Sequence, residues 1–201
     1  DASGNGSTTA VLVDNGSNDA CGIQSLVLSK TDFSCANVGA NTVTLTVTDN
    51  NDNVSTQTAI VTVEDNVNPI ALTQAVTVQL DASGNGSTTA VLVDNGSNDA
   101  CGIQSLVLSK TDFSCANVGA NTVTLTVTDN NGNVSTETAI VTVEDSVNPT
   151  VITQDIPVNL DVAGNVSITP SMIDNGSFDN CSIATLSISK DNFYCTNVGI
   201  N

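Results

Sequence analysis

The clearest pattern in the chain is an alternation of apolar and polar residues over 121–128. Val123, Leu125 and Val127 alternate with threonines, which is the period of a strand with one buried and one exposed face. The other predicted strands, taken from similar or shorter runs of apolar residues, span 71–80, 87–93, 103–109, 113–116 and 134–143. No segment has a helical period.

Turn-forming Gly, Asn and Asp residues separate these runs about every 8–12 residues, and about six or seven short strands fall in each repeat, which is typical of an immunoglobulin-like β-sandwich. We therefore predict an all-β fold of tandem immunoglobulin-like β-sandwich modules in an elongated array. Aromatic residues make up only 2% of the chain and Trp is absent. The predicted core is accordingly aliphatic, with one recurring large residue at Phe33, Phe113 and Phe193.

The strand pattern recurs with a period of 80 residues. Residues 1–50 and 81–130 are identical, and a third, diverged copy begins at Asp161. Self-similarity at a fixed period indicates an array of structural units. Segments containing Pro69 and Pro149 follow a last strand and precede a first one, so they mark the module boundaries. The predicted modules are a partial one at 1–66, a complete one at 67–146 and a partial one at 147–201, and we expect neighbouring chain to complete the partial modules.

The charge of the chain is strongly negative. It has 21 acidic residues, 3 basic residues and no His, which gives a net charge of −18. Nucleic acid is therefore not an expected partner, because phosphate binding needs Lys and Arg, and adsorption to anionic membranes is disfavoured. No apolar run is long enough to span a bilayer, so membrane insertion is not expected. Because 39% of the residues are hydrophobic, the chain is predicted to fold rather than to form a disordered acidic tail.

Six cysteines occur as three pairs with the same spacing. One disulfide within each module, closing a 15-residue loop, is the simplest interpretation, and it would stabilise the module by about 3 kcal/mol. The predicted bonds are Cys21–Cys35, Cys101–Cys115 and Cys181–Cys195. Zinc is disfavoured because each module has two Cys and no His. Disulfides predict an extracellular location. The pairing of the strands around this loop stays open, since there is hardly room for two strands between 109 and 121.

The acidic residues are concentrated in turns, whereas the exposed strand faces have Thr. If modules follow one another end to end, the loop 94–101, the turn 129–133 and the linker with Glu64 and Asp65 meet at one pole. Carboxylates gathered in this way repel each other unless a cation neutralises them, and Ca²⁺ takes six to eight oxygen ligands of the types present here. We therefore predict Ca²⁺ at the module junctions. The candidate ligands are Asp14, Asp19, Asp49, Glu64, Asp65, Asp94, Asp99, Asp129, Glu144, Asp145, Asp174 and Asp179.

A simpler interpretation of the same residues is also open. Asp, Asn and Gly are ordinary turn formers, and proteins of halophiles have acidic surfaces. A halophile surface would spread its charge over the exposed strand faces, which here have Thr instead.

The segment 117–133, together with 141–145, resembles the hyalin-repeat (HYR-like) immunoglobulin superfamily. With the cysteine-containing loop 94–101, it is similar to the tandem repeats of very large secreted surface adhesins of Bacteroidetes, including those of gliding motility. The resemblance implies export by the type IX secretion system and a cell-surface filament. The linker 64–69 is also similar to the calcium-binding linkers of cadherins, although it departs from their motif.

The sequence favours a structural role: a stalk or filament repeat of a cell-surface adhesin, stiffened by disulfides and Ca²⁺. The alternative is that the repeats themselves bind carbohydrate or protein multivalently, although exposed aromatics for stacking on sugars are lacking. Catalysis is not expected, because there is no His, the cysteines pair, and each repeat has a single Lys. The expected partners are neighbouring repeats of the same chain, and surface glycans or other filaments.

Overall fold

A computed structural model of the chain describes residues 1–199; the last two residues of the predicted third module lie outside the described residues. Within 1–199 the chain forms 13 strands, three one-turn α-helices and three 3-10 turns. The prediction of an all-β fold is confirmed. Within the described residues, no helix has the length and apolar character needed to cross a membrane.

The first repeat forms two antiparallel sheets. Its elements are β1 (Asn5–Ser7), α1 (Ala10–Val13), β2 (Ile23–Leu28), β3 (Asp32–Ser34), a 3-10 turn (Cys35–Asn37), β4 (Gly39–Asp49) and β5 (Val54–Val63). Strand β1 pairs with β3, and the larger sheet has the order β2-β4-β5. The short pair and the larger sheet enclose a core of Leu28, Phe33, Val43 and Leu45.

The middle repeat adds a strand to this arrangement. Its elements are β6 (Val76–Gln79), β7 (Asn85–Ser87), α2 (Ala90–Val93), β8 (Ile103–Leu108), β9 (Asp112–Ser114), a 3-10 turn (Cys115–Asn117), β10 (Gly119–Asp129) and β11 (Val134–Glu144). Strands β7 and β9 pair, and the larger sheet has the order β6-β11-β10-β8. Strand β6 runs parallel to β11, so the first strand of the repeat lies beside its last strand.

The third copy has fewer strands. It contains β12 (Asn165–Ser167), α3 (Pro170–Ile173), β13 (Asn192–Tyr194) and a 3-10 turn (Cys195–Asn197). Strand β12 pairs with β13, as β7 pairs with β9. The segment that corresponds to β8 is not a strand here. In the middle repeat β8 pairs with β10, and the counterpart of β10 would begin at Gly199, the last described residue.

The long strands β10 and β11 agree with the predicted strands, and three other predicted strands differ. The predicted strand 71–80 is a strand only over β6, Val76–Gln79. The side chains of Val123, Leu125 and Val127 are 0–1% exposed, as the alternation predicts. The predicted strand 87–93 is wrong: β7 ends at Ser87, and the apolar run that follows is the one-turn helix α2. The predicted strand 113–116 ends at Ser114, where a capping box begins the 3-10 turn.

The described residues divide into two compact units. Unit 1 comprises Asp1–Gln74, Thr89–Lys110 and Val123–Ala139; unit 2 comprises Ala75–Thr88, Thr111–Thr122 and Ile140–Asn201. Each unit therefore contains parts of two consecutive repeats. The module boundaries at 1–66, 67–146 and 147–201 stay a prediction from the sequence.

Candidate functional site

The two disulfides of the structure join consecutive repeats. Cys35 bonds to Cys101 and Cys115 bonds to Cys181, each across 66 residues and with Cα atoms 5.1 Å apart. The second cysteine of one repeat is thus bonded to the first cysteine of the next. In the described chain, the two other cysteines, Cys21 and Cys195, are exposed free thiols. The predicted bonds within modules are wrong; they were Cys21–Cys35, Cys101–Cys115 and Cys181–Cys195.

The strands between the two cysteines of a repeat explain this correction. After Cys101, strand β8 has six residues, whereas β9 before Cys115 has three. At about 3.3 Å per residue, β8 is about 20 Å long and β9 only about 10 Å. Furthermore, β8 and β9 belong to different sheets. The two cysteines therefore do not meet as they would in a simple hairpin.

A glycine lies directly against the second cysteine of each repeat. Gly84 has a φ of +75°, and a Cβ atom there would lie 2.5 Å from Sγ of Cys115. The turn around this glycine is fixed by Asp81, whose Oδ1 accepts hydrogen bonds from the N–H groups of Ser83 and Asn85 at 2.8 and 3.0 Å. Both the backbone conformation and the close approach require a residue without a side chain.

In unit 1, two of the predicted metal ligands lie beside the Cys35–Cys101 disulfide. One carboxylate oxygen each of Asp65 and Asp99 and Sγ of Cys101 all lie within 4.8 Å of one another. Oδ1 of Asp65 accepts a hydrogen bond from the Val67 N–H at 3.1 Å. Oδ2 of Asp65 is buried and has no hydrogen-bond partner. A buried carboxylate oxygen without a partner is unfavourable unless a cation or donor reaches it.

The same disulfide borders a small cleft with a volume of about 80 Å³, and Asp1, Glu64 and Asp65 contribute to its lining. Because the Cys101 sulfur is bonded to Cys35, it is not a thiolate, and the available donors are oxygens. Oxygen donors with a partnerless carboxylate among them fit a hard cation such as Ca²⁺. Of the described residues, no other set of three acidic, Cys or His side chains is this close together.

The corresponding position in unit 2 has an additional donor. Asn180 occupies the place of Ala100, and its Nδ2 donates hydrogen bonds to Oδ1 of Asp145 and to the carbonyl oxygen of Asp81, both at 3.0 Å. Asp179 accepts the N–H of Cys181 at 2.9 Å. Oδ1 of Asp145 also accepts the Val147 N–H at 3.1 Å, as Oδ1 of Asp65 accepts that of Val67. The amide of Asn180 thus adds a second donor to this oxygen, and Ala100 offers Asp65 no such donor.

Several other predicted ligands lie in separate turns and stabilise them. Asp129 is fully buried; its Oδ1 accepts the N–H groups of Asn131 and Asn133, and its Oδ2 accepts Nδ2 of Asn133, all at 2.8 Å. Asp49 makes the corresponding bonds in the first repeat. These contacts are those of ordinary Asx turns.

A second turn of each repeat uses its aspartate in the same way. Asp94 accepts hydrogen bonds from the N–H groups of Gly96 and Ser97, and Asp14 and Asp174 make the corresponding contact with the serine three residues later. Asp19 accepts the N–H of Cys21 at 2.7 Å. Thus the structure brings Asp65 and Asp99 together and leaves these turn aspartates outside that group.

Hydrogen bonds lower the pKa of the turn aspartates. Burial of Asp129 alone would raise its pKa, but the side chain and N–H of Asn133 and the N–H groups of Asn131 and Gly132 hold it below the ordinary value. For Asp49, the side-chain hydrogen bond from Asn53 is the largest cause of a lowered pKa. These carboxylates are therefore ionised when folded at neutral pH.

Two residues of the site could not be singled out from the sequence. Gly84 is separated from Cys115 by 31 residues, and Asn180 is separated from Asp81 by 99. A glycine 31 residues before the second cysteine recurs in all three copies, which is a signal for the first contact. Asn180 replaces the alanine found at positions 20 and 100 of the other copies, but the sequence does not indicate which residues its amide contacts.

No family model matches the chain, and no curated protein matches it. Among solved structures, the chain is similar to that titled "Crystal structure of the Protocadherin GammaB4 extracellular domain", with 16% identity and a TM-score of 0.33. The match covers 68% of this chain and 29% of that one. At this level of similarity, the comparison assigns neither a family nor a function.

Proposed function

We propose that the chain is a structural segment of an extracellular array: a stalk or filament repeat of a cell-surface adhesin. The observation that supports this most directly is that its disulfides join one repeat to the next, Cys35 to Cys101 and Cys115 to Cys181. Disulfides persist in oxidising compartments, which supports the extracellular location. Export by a type IX system and a role in gliding motility, which the resemblance implies, are the finer part of the proposal.

The disulfides change the covalent path along which tension acts. Tension entering at Cys35 passes through sulfur to Cys101 and bypasses 36–100, and the second bond bypasses 116–180 in the same way. Between the two bonds, only the 15 residues from Cys101 to Cys115 remain in the path. Fully extended, they span about 50 Å, whereas 80 residues without disulfides span about 270 Å. A repeat joined in this way cannot lengthen much even if it unfolds.

Calcium is the second part of the proposal. Asp65 and Asp99, with Glu64 and Asp1 along the cleft, are the residues that would hold Ca²⁺ in unit 1. The partnerless Oδ2 of Asp65 and the lack of basic side chains, three in the whole chain, support this assignment. When bound, Ca²⁺ would supply positive charge to a group of carboxylates that otherwise repel one another. The chain's own residues would then fix the linker at Asp65 against the loop of Asp99.

A binding module is the second candidate function, and exposed apolar side chains favour it. Val11 and Leu12 on α1 are 73% and 77% exposed, and Val91 and Leu92 on α2 are 72% and 55% exposed. An apolar pair repeated every 80 residues would give a protein partner several equivalent contacts. Binding of a protein partner would in that case be lost when these pairs are replaced by Ser, with no change in the disulfides.

The structural role is tested by stretching single molecules tethered at both ends. Reduction should add the 130 bypassed residues to the extensible length, which is about 440 Å. The variant Cys101→Ser/Cys181→Ser should extend to the greater length without reduction. Equal lengths for the oxidised and reduced chain would contradict the proposal.

A further inference from the structure

We infer that the exposed apolar residues around α2, with the carboxylate beside them, bind a cationic protein segment in which Leu- or Ile-type side chains alternate with Lys or Arg. These residues are Leu72, Val91 and Leu92, and together they are called the apolar patch. The inference rests on the second candidate function, the binding module, and names the chemistry of its partner. The chain continues on both sides of the middle repeat, and its own residues leave these three side chains largely uncovered.

The apolar patch is formed by two segments of unit 1 that lie side by side. Segment 70–74 runs beside α2 and the loop that follows it. Nε2 of Gln74 donates to the carbonyl oxygen of Leu92 at 3.0 Å, and the N–H of Asn95 donates to that of Leu72 at 3.0 Å. Leu72 is 41% exposed and Leu92 is 55% exposed. Hydrogen bonds thus fix the backbone of both segments while their apolar side chains face solvent.

A carboxylate borders the apolar patch. The hydroxyl of Ser97 accepts the N–H of Leu72 at 2.9 Å and donates to its carbonyl oxygen at 3.2 Å. The N–H of the same serine donates to Oδ1 of Asp94 at 3.0 Å. Burial alone would raise the pKa of Asp94, but hydrogen bonds from Ser97 and Gly96 hold it below the ordinary value. Leu72 therefore has an ionised carboxylate beside it at neutral pH.

The third copy has the same arrangement in unit 2 with different residues. Ile152 and Met172 occupy the corresponding positions, 80 residues further on, and are 37% and 42% exposed. Ser177 accepts the N–H of Ile152 at 2.9 Å and donates its own N–H to Oδ1 of Asp174 at 3.0 Å. Ser171 replaces the third apolar residue. Two exposed apolar side chains beside one carboxylate thus recur although the sequence has changed.

The charge of the chain determines which partner fits this patch. With 21 acidic and 3 basic residues, two copies of the chain repel each other, as do the chain and an anionic membrane. The patch has no aromatic side chain on which a sugar could stack. A segment with Lys or Arg is attracted by the same charge, and its apolar side chains can cover the patch. An apolar centre with a charged rim is a common arrangement in protein interfaces.

The test uses three synthetic peptides of equal length, in which Leu alternates with Lys, Ser alternates with Lys, or Leu alternates with Glu. Binding to the full oxidised chain is measured by isothermal titration calorimetry at physiological salt. We expect the Leu–Lys peptide to bind at least about tenfold more tightly than the Ser–Lys peptide, because burial of even one Leu side chain contributes that much. The Leu–Glu peptide should not bind.

Variants of the chain assign the binding to the patch. Leu12→Ser/Leu92→Ser/Met172→Ser changes the equivalent position of all three copies and should abolish the difference between the Leu–Lys and Ser–Lys peptides. The matched control is Val54→Ser/Val134→Ser, which replaces apolar residues of β5 and β11 that are 60% and 47% exposed. This control should bind both peptides like the original chain.

Three results would overturn the inference. The triple variant could bind the Leu–Lys peptide as tightly as the original chain does, or the Leu–Glu peptide could bind as tightly as the Leu–Lys peptide. Association between copies that the triple variant abolishes would instead assign the patch to a second copy.

These failures are distinguishable from a failure of the proposed function. Equal binding of the Leu–Glu and Leu–Lys peptides, lost in the triple variant, would leave a binding module with a different partner. Absence of all peptide binding would remove the binding module as well. Neither result affects the stalk, which the stretching experiment tests through the disulfides.

Discussion

The sulfur of Cys115 lies against the backbone of Gly84, so closely that a Cβ atom on the glycine would be 2.5 Å from it. Heavy atoms of real side chains do not approach each other this closely without a bond. The glycine, which belongs to the turn before β7, thus makes room for a disulfide to the next repeat.

Replacing this glycine should therefore prevent the bond. We expect Gly84→Ala to leave Cys115 and Cys181 as free thiols in most molecules, measured by thiol titration of the denatured chain. Gly96→Ala is the matched control, because Gly96 has a similar φ of +86° but nothing within 4 Å of its Cβ position. Both variants have the strain of a positive φ, so equal thiol counts would show that the close contact does not matter.

Opening one disulfide should lower the free energy of unfolding more than the predicted 15-residue loops would have done. Each observed disulfide closes a loop across 66 residues, and for a loop of that length the chain-entropy relation gives about 4 kcal/mol. We expect Cys35→Ser, Cys101→Ser and the double variant to lose similar amounts in urea denaturation, since each removes the same bond. A double variant that loses the sum of the two single effects would indicate that the two residues are not bonded to each other.

The buried carboxylate of Asp129 should make stability depend on pH in acid. Because hydrogen bonds from Asn131 and Asn133 hold its folded pKa below the ordinary value of 3.8, the unfolded chain binds a proton more readily. Its contribution is complete above the unfolded pKa and is lost as the pH falls through the folded pKa.

We expect Asp129→Asn to lower the free energy of unfolding at pH 7 by about 1–3 kcal/mol, measured as unfolding at a lower urea concentration than the original chain. This difference should shrink as the pH falls below 3.8. The comparison with the variant cancels the general loss of charge repulsion in acid. A difference that is constant between pH 7 and pH 2.5 would contradict an ionised Asp129 in the folded state.

Calcium should stabilise the chain through Asp65. Addition of Ca²⁺ after treatment with a chelator is expected to raise the melting temperature, and Asp65→Asn should remove most of that rise. The control is Asp155→Asn, which removes one negative charge from an exposed residue. If both variants respond to Ca²⁺ like the original chain, Asp65 is not a ligand.

The loops of the two disulfide-bonded sites differ at one position, Ala100 in one and Asn180 in the other, and this difference allows a second test of Ca²⁺ binding. Asn180 donates to Asp145, so Ala100→Asn should supply the corresponding donor to Asp65 and weaken the response to Ca²⁺. Conversely, Asn180→Ala should expose Asp145 and strengthen the response. An unchanged response in both variants would show that the amide and the ion do not compete for the same carboxylate.

The sequence predicts what depends on neighbouring residues and fails where distant segments meet. The alternation at Val123, Leu125 and Val127 was enough to place β10, because a strand with one buried face has a period of two. The predicted disulfides were wrong, because equal spacing does not reveal that β8 and β9, the strands between Cys101 and Cys115, belong to different sheets. The helix α2 was missed because its exposed Val91 and Leu92 have the composition of a strand.

The candidate site shows the same limit. Asp65 and Asp99 were among the twelve predicted ligands, since the linker and the loop were expected at one pole. The turn aspartates such as Asp129 could not be separated from them by composition, because Asx turns and metal loops use the same residue types. Only the position of Asn133, which satisfies Asp129 within its own turn, distinguishes the two roles.

The constant separation of 66 residues between bonded cysteines also determines how such an array can change in length. Each repeat contributes one cysteine to the junction before it and one to the junction after it. Recombination between the identical segments 1–50 and 81–130 would remove or insert a whole period and still leave every internal junction with two cysteines. A gene of this kind can therefore gain or lose repeats without producing a single mispaired thiol inside the protein.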